Sequence, residues 1–161
     1  MNRKIILLIF ILAVVFLILR IVPVLGSDKE KVRKVILDAK AAVEKENALK
    51  CISFVSMDYE DRHGNNRGSL FAIAQSVFKS YDDTLIIIEE LRVNLTDSAH
   101  ARARVIASGQ SRRMGEEKWR YFLDSERVEF DVDLRKEDSG WKVVKLDFIE
   151  PREFMQFLMG I

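Results

Sequence analysis

The sequence predicts an α+β domain behind an N-terminal membrane segment, and three observations carry that prediction. Residues 5–19 are apolar without interruption. Between 27 and 79 the apolar residues recur at the 3.6-residue period of amphipathic helices. From about 91 to 149 the period changes to 2, the signature of strands with one buried face. Helical segments followed by a run of strands make an α+β plan.

The N-terminal run follows Arg3 and Lys4, and beyond Arg20 it continues through Ile21, Val22, Val24 and Leu25 around Pro23. Residues 5–25 are long enough to cross about 30 Å of hydrocarbon if the Arg20 side chain snorkels to the interface. Each Ile, Leu, Phe or Val contributes roughly −0.3 to −0.6 kcal/mol to insertion, which together outweighs about +3 kcal/mol for one arginine. A cleaved signal peptide is the rival reading, with small residues at Gly26 and Ser27. Length favours residues 1–26 as an uncleaved anchor that contacts the lipid bilayer through 5–25. The short basic start places the N-terminus in the cytoplasm and the domain outside it. Lys29, Lys31, Arg33 and Lys34 count the other way, but they sit on a helix of the folded domain.

Ser27 and Glu30 form the S-x-x-E pattern of a capping box. The helix it opens has Val32, Val35, Ile36, Ala39 and Val43 on one stripe. A second helix is expected over 48–59, then a polar turn-rich stretch over 60–68, then a third helix over about 69–79 with Leu70, Ile73, Ala74, Val77 and Phe78 inward. Alternating segments at 91–95, 101–107 and 128–134, and a last strand over 141–149, give about four antiparallel strands. Turns are expected at 96–97, 114–115 and 138–140. The soluble domain therefore spans 27–150, and 151–161 form a short tail with Phe154, Phe157 and Leu158 on one side.

Charge is balanced, with 26 Lys and Arg against 25 Asp and Glu, and the signs are interspersed. No concentrated basic face exists to bind nucleic acid, whose affinity comes mainly from such a face. Cys51 is the only cysteine, so no internal disulfide forms, and its apolar neighbours read as a small buried residue. Two histidines and one cysteine at unrelated positions offer no metal site, and no motif calls for a cofactor.

The element order, with "SMDYEDRHG" after the second helix and "SGWKVVKLDF" in the last strand, resembles the nuclear transport factor 2-like superfamily. The resemblance implies a cystatin-like α+β cone, in which a bent antiparallel sheet wraps around helices and leaves a pocket at its open end. It also implies self-association, a homodimer through the sheet face. The superfamily includes isomerases, dehydratases, hydrolases, ligand binders and non-catalytic domains of membrane assemblies, so fold alone does not assign the activity.

The densest polar cluster is Asp58, Tyr59, Glu60, Asp61 and His63. Resemblance implies a pocket Asp as general acid or base and a Tyr donating to a developing oxyanion, which makes Asp58, Tyr59 and Asp61 the catalytic candidates. The competing reading is a helix end in which Tyr59 packs on the core and Asp61 caps a turn. Arg102 and Arg104 lie on one strand face and are the ligand-binding candidates, as a clamp for an anion. Their alternation with Glu129, Asp131 and Asp133 fits cross-strand ion pairs better. Two histidines, His63 in a turn and His100 on a polar strand phase, read as surface residues.

These observations lead to a non-catalytic, membrane-anchored binding or assembly module with a membrane-complex partner and an extracytoplasmic domain. The alternatives are an isomerase, dehydratase or hydrolase using an Asp/Tyr pair in an apolar pocket, or a secreted ligand-binding protein if the N-terminal segment is cleaved.

Overall fold

The computed structural model describes residues 27–121 and 127–148. The expected anchor at 5–25 and the tail at 151–161 lie outside the described residues. Among the described residues, no helix is long and apolar enough to cross a membrane.

Helix α1 (Asp28–Glu44) begins where its cap predicts, with Ser27 Oγ accepting from the Glu30 amide at 3.3 Å. It ends in a Schellman turn: the Asn47 amide reaches Ala42 O at 3.0 Å and the Glu46 amide reaches Val43 O at 2.9 Å. Glu46 holds the left-handed position of that turn, φ 53°, which glycine usually takes. Helix α2 (Ala48–Ser53) is shorter than the period suggested. Residues 54–59 leave the helix in turns, with the Tyr59 amide on Ser56 O at 3.3 Å and Val55 bridged to Val143 at the edge of the sheet, so the apolar residues there do not continue α2. Helix α3 (Arg67–Ser80) starts two residues earlier than expected, since Asn66 Oδ1 caps the Ser69 amide at 3.0 Å.

Five strands follow: β1 (Tyr81–Leu95), β2 (His100–Arg113), β3 (Trp119–Tyr121), β4 (Val128–Glu137) and β5 (Gly140–Phe148). All pair antiparallel in the order β1-β2-β4-β5. The second edge of β2 is shared, with β4 along 100–107 and the short β3 along 110–112. Two departures from the expected sheet have one cause. Strand β1 starts at Tyr81 instead of near Leu91, and its first half lacks alternation because register shifts fall between Asp82 and Leu85 and between Ile88 and Glu90. Asp83 takes the left-handed conformation at the first shift, φ 54°, and pairs with Arg112 across the strands.

The inner sheet face carries Ala101, Ala103, Val105, Ala107, Val132, Leu134 and Trp141, all buried, against Val32 and Ile36 of α1. Three alanines on β2 leave room for the helix to lie close to the sheet. Both outer strands of the path have part of their free edge engaged, which satisfies backbone groups there that would otherwise be open to another chain. Along β1, Glu44 Oε1 accepts from the Ile86 amide at 2.9 Å and Arg33 donates to Leu91 O at 3.4 Å, so α1 runs beside that edge. Along β5, Val143 donates to Phe54 O at 2.9 Å and accepts from the Ser56 amide at 2.8 Å.

Candidate functional site

Residues 54–65 place the catalytic candidates, and the β5 edge holds the start of that stretch in position. Ser56 is buried and central: its hydroxyl donates to Glu137 Oε1 at 2.7 Å and accepts from the Asp58 amide at 3.1 Å. Arg135 Nη2 reaches Asp58 Oδ2 at 2.7 Å and Glu137 Oε1 at 3.0 Å. The Ser56 hydroxyl, then Arg135, holds the Glu137 carboxyl below its ordinary range. The Asp58 side chain itself is 72% exposed, so it lies on the surface in an ion pair.

Tyr59 points the other way and is buried to 2% exposure. Its hydroxyl faces Asp61 Oδ2 at 3.5 Å. Burial, then the charge of Asp61, pushes the phenol far above its usual range. Partial burial raises the Asp61 carboxyl, but hydrogen bonds from Asn65 and from the His63 amide outweigh it and hold the group low. Those donors are the Asn65 side chain and amide, each at 2.9 Å, and the His63 amide at 2.8 Å. Asp61 thus ties the turn over 61–65, and its lone pairs are largely committed to it. Of the three catalytic candidates, Tyr59 and Asp61 come together and Asp58 is held apart by Arg135.

The sheet register sets the arginines. Arg102 lies opposite Asp133 and makes two bonds to it, Nε to Oδ1 at 2.7 Å and Nη2 to Oδ2 at 3.1 Å. Arg104 pairs with Glu129 at 2.5 Å, with Asp131 at 3.8 Å. Both guanidinium groups face outward among carboxylates. His63 is exposed, and His100 Nδ1 sits 2.9 Å from Asp97 in the β1–β2 turn. Cys51 is half-buried, and burial pushes its thiol up. Among the described residues, no group of three or more His, Cys, Asp or Glu could hold a metal ion.

Two features lay beyond the sequence pattern. One is an open groove of about 630 Å³ between α2 and the start of α3, walled by Leu49, Ile52, Met57 and Phe71. Arg67 crosses it, donating to Ile52 O at 3.3 and 3.4 Å and contacting Met57 Sδ at 3.1 Å. The other is the outer sheet face. There Leu85, Gln110 and Tyr121 form one cross-strand row, Arg112 and Trp119 the next, and Ile87 with Ser108 the one before.

The bent sheet with α1 against its inner face, α3 beside β1 and α2 packed on both helices decides the architecture. It is the cystatin-like fold of nuclear transport factor 2-like proteins. A nuclear transport factor 2-like superfamily protein from Salmonella enterica has a TM-score of 0.66 at 10% identity, over 78% of this chain and 92% of that one. A nuclear transport factor 2-like protein with a cystatin-like fold from Novosphingobium aromaticivorans reaches 0.61 at 14% identity, over 88% and 94%. A ketosteroid isomerase-like protein from Erwinia carotovora atroseptica reaches 0.60 at 16% identity, over 78% and 99%. At such identities the likeness establishes the nuclear transport factor 2-like fold alone. No protein-family model and no curated protein sequence matches the chain.

Proposed function

We propose that this protein is a membrane-anchored, non-catalytic binding or assembly module with a nuclear transport factor 2-like domain outside the cytoplasm. The observation that carries the reading is the engagement of the polar candidates. Asp58 is neutralised by Arg135 at the surface, Asp61 is consumed by its own turn, and Arg102 and Arg104 are paired across the sheet. The apolar run at 5–25 directly before the Ser27 cap supports an anchor with almost no linker. In native membranes, the chain is expected to resist carbonate extraction with an intact-mass N-terminus, and crosslinking is expected to recover a membrane-complex partner. Release into the soluble fraction with a trimmed N-terminus would replace this reading with a secreted ligand binder.

The enzyme alternative keeps one specific support: Tyr59 is buried beside Asp61 in a fold shared with a ketosteroid isomerase-like protein. Tyr59→Phe and Asp61→Asn separate the two readings. Turnover of a small hydrophobic ketone or alcohol that vanishes in both variants, with folding intact, would establish the enzyme.

A further inference from the structure

Helix α3 is apolar along one side, yet none of its residues is buried. Arg67, Phe71, Ala74 and Phe78 follow one another at i, i+4, i+7 and i+11, so they form one line down the helix. The last three are only half-buried. That line starts in the open groove beside α2, where Met57 is 76% exposed. Arg67 donates there to Ile52 O and Met57 Sδ, and it pairs with no carboxylate among the described residues. An apolar helix face and an unpaired guanidinium side by side call for a segment that is apolar and acidic.

We propose that this groove and the α3 line leading from it seat the chain's own C-terminal segment, residues 151–161. The sequence of that segment fits the seat. Phe154, Phe157, Leu158 and Ile161 recur at i, i+3, i+4 and i+7, the anchor spacing of a helix laid in an apolar groove. Seven residues separate Phe154 from Ile161, as they do Phe71 from Phe78, which is about 10.5 Å along either helix. Glu153 directly precedes the first anchor and supplies the carboxylate that Arg67 lacks.

The end of β5 brings the segment within reach. The Glu60 amide donates to Val144 O at 3.2 Å, and Glu60 is bridged to Asn66. Asn66 therefore lies about two strand spacings, roughly 10 Å, to the side of Val144. Phe148 is four residues farther along β5, about 13 Å. From Phe148 the start of the groove is thus about 16 Å away, and the six residues to Phe154 span up to about 20 Å. Arg62, paired with Asp147 at 3.0 Å, keeps the turn between them against the same strand. A tether this short holds the segment at an effective concentration of about 1 mM. A free partner at about 1 μM would have to bind roughly a thousandfold tighter to displace it. Docking is independent of the anchor, because it involves only the described domain and the residues after β5.

Full chains in detergent micelles are digested with a trace of chymotrypsin, which cuts after Phe and Leu, and loss of residues 155–161 is followed by mass. Wild type is expected to lose them slowly. Met57→Asp, at an exposed position, and Arg67→Glu should each speed the loss roughly tenfold, since cleavage follows the population of the open form. Glu153→Arg should restore protection to the Arg67→Glu chain, which a merely structural role of Arg67 would not allow. Leu49→Cys at the groove rim and Met155→Cys, in a Cys51→Ala background, should be joined within one chain by a short bismaleimide. Equal cleavage rates in wild type and both single variants, no rescue by Glu153→Arg, or no such crosslink would overturn the proposal. A crosslinked product of twice the chain mass would give the groove to the segment of a second copy instead. Protection that appears only in nanodiscs would assign the segment to the lipid surface.

Discussion

Tyr59 and Asp61 sit close together yet titrate in opposite directions, and this gives the domain two separate pH limits. Asp61, Glu137 and Asp147 have folded pKa values below their unfolded ones, Asp147 chiefly through Lys145. Their stabilisation is complete above about pH 5 and is lost as pH falls through the depressed values. Tyr59 has the reverse sign. Its folded pKa is raised, so its contribution is complete below about pH 10, the unfolded value, and is lost as pH rises beyond that. Melting temperature against pH should therefore fall on both sides. Tyr59→Phe should flatten the alkaline limb alone, and a variant that keeps both limbs would refute the assignment. Core residues offer a magnitude. Leu134 is 1% exposed, and Leu134→Ala should cost about 2–5 kcal/mol in urea unfolding, against less than about 0.5 kcal/mol for Leu49→Ala at 72% exposure. At this scale the sequence spoke unevenly. The turn role of Asp61 was readable from the surrounding Gly and Asn residues, whereas the pairing of Asp58 with Arg135 spans 77 positions and depends on strand register.

Among the elements, those with one wet face were the readable ones. Strands β2 and β4 are readable where alternation holds: Ala101, Ala103, Val105, Val132 and Leu134 are buried on the inner face, while Arg102, Arg104, Asp131 and Asp133 pair on the outer one. The first half of β1 was hidden by its two register shifts, and the end of α2 by a turn-rich stretch, bridged to the β5 edge at Val55, whose apolar residues mimic a helix. The C-terminus of α1 carries an element-scale prediction. Glu46 occupies the left-handed position of the Schellman turn, where an L side chain costs about 1–2 kcal/mol and glycine costs nothing sterically. After the extra chain entropy of glycine, Glu46→Gly should stabilise the domain by about 0.5 kcal/mol, visible as a rise in the urea midpoint with an unchanged slope. Glu44 offers the opposite sign. It covers the Ile86 amide at the β1 edge and pairs with Lys40 at 2.7 Å, so Glu44→Ala should cost about 1–2 kcal/mol and speed hydrogen exchange at Ile86. Unchanged exchange there would mean that α1 covers the edge without help from this carboxylate.

For the molecule as a whole, the informative feature is where the chain enters the domain. Asp28 receives Lys136 Nζ at 3.0 and 3.1 Å and Trp141 Nε1 at 3.4 Å, with Lys31 at 3.6 Å. These contacts clasp the first turn of α1 to the β4–β5 hairpin. The Lys136 amide in turn reaches Ala99 O at 2.7 Å, which adds the β1–β2 turn to the same end. Ser27 therefore emerges beside the turns at 96–99 and 138–139, and β2 runs from there for 14 residues, about 46 Å, to the β2–β3 turn. If residues 5–25 hold the chain in a bilayer, the absence of a linker leaves the domain little choice of orientation. A fluorophore on Ser98→Cys or Ser139→Cys, in a Cys51→Ala background, should be quenched by headgroup-labelled lipid. The same fluorophore on Glu117→Cys, in the far turn, should be several-fold less affected. Equal quenching at the three positions would show that the domain tumbles freely on its tether, and stronger quenching at Glu117→Cys would invert the orientation that the Asp28 clasp requires.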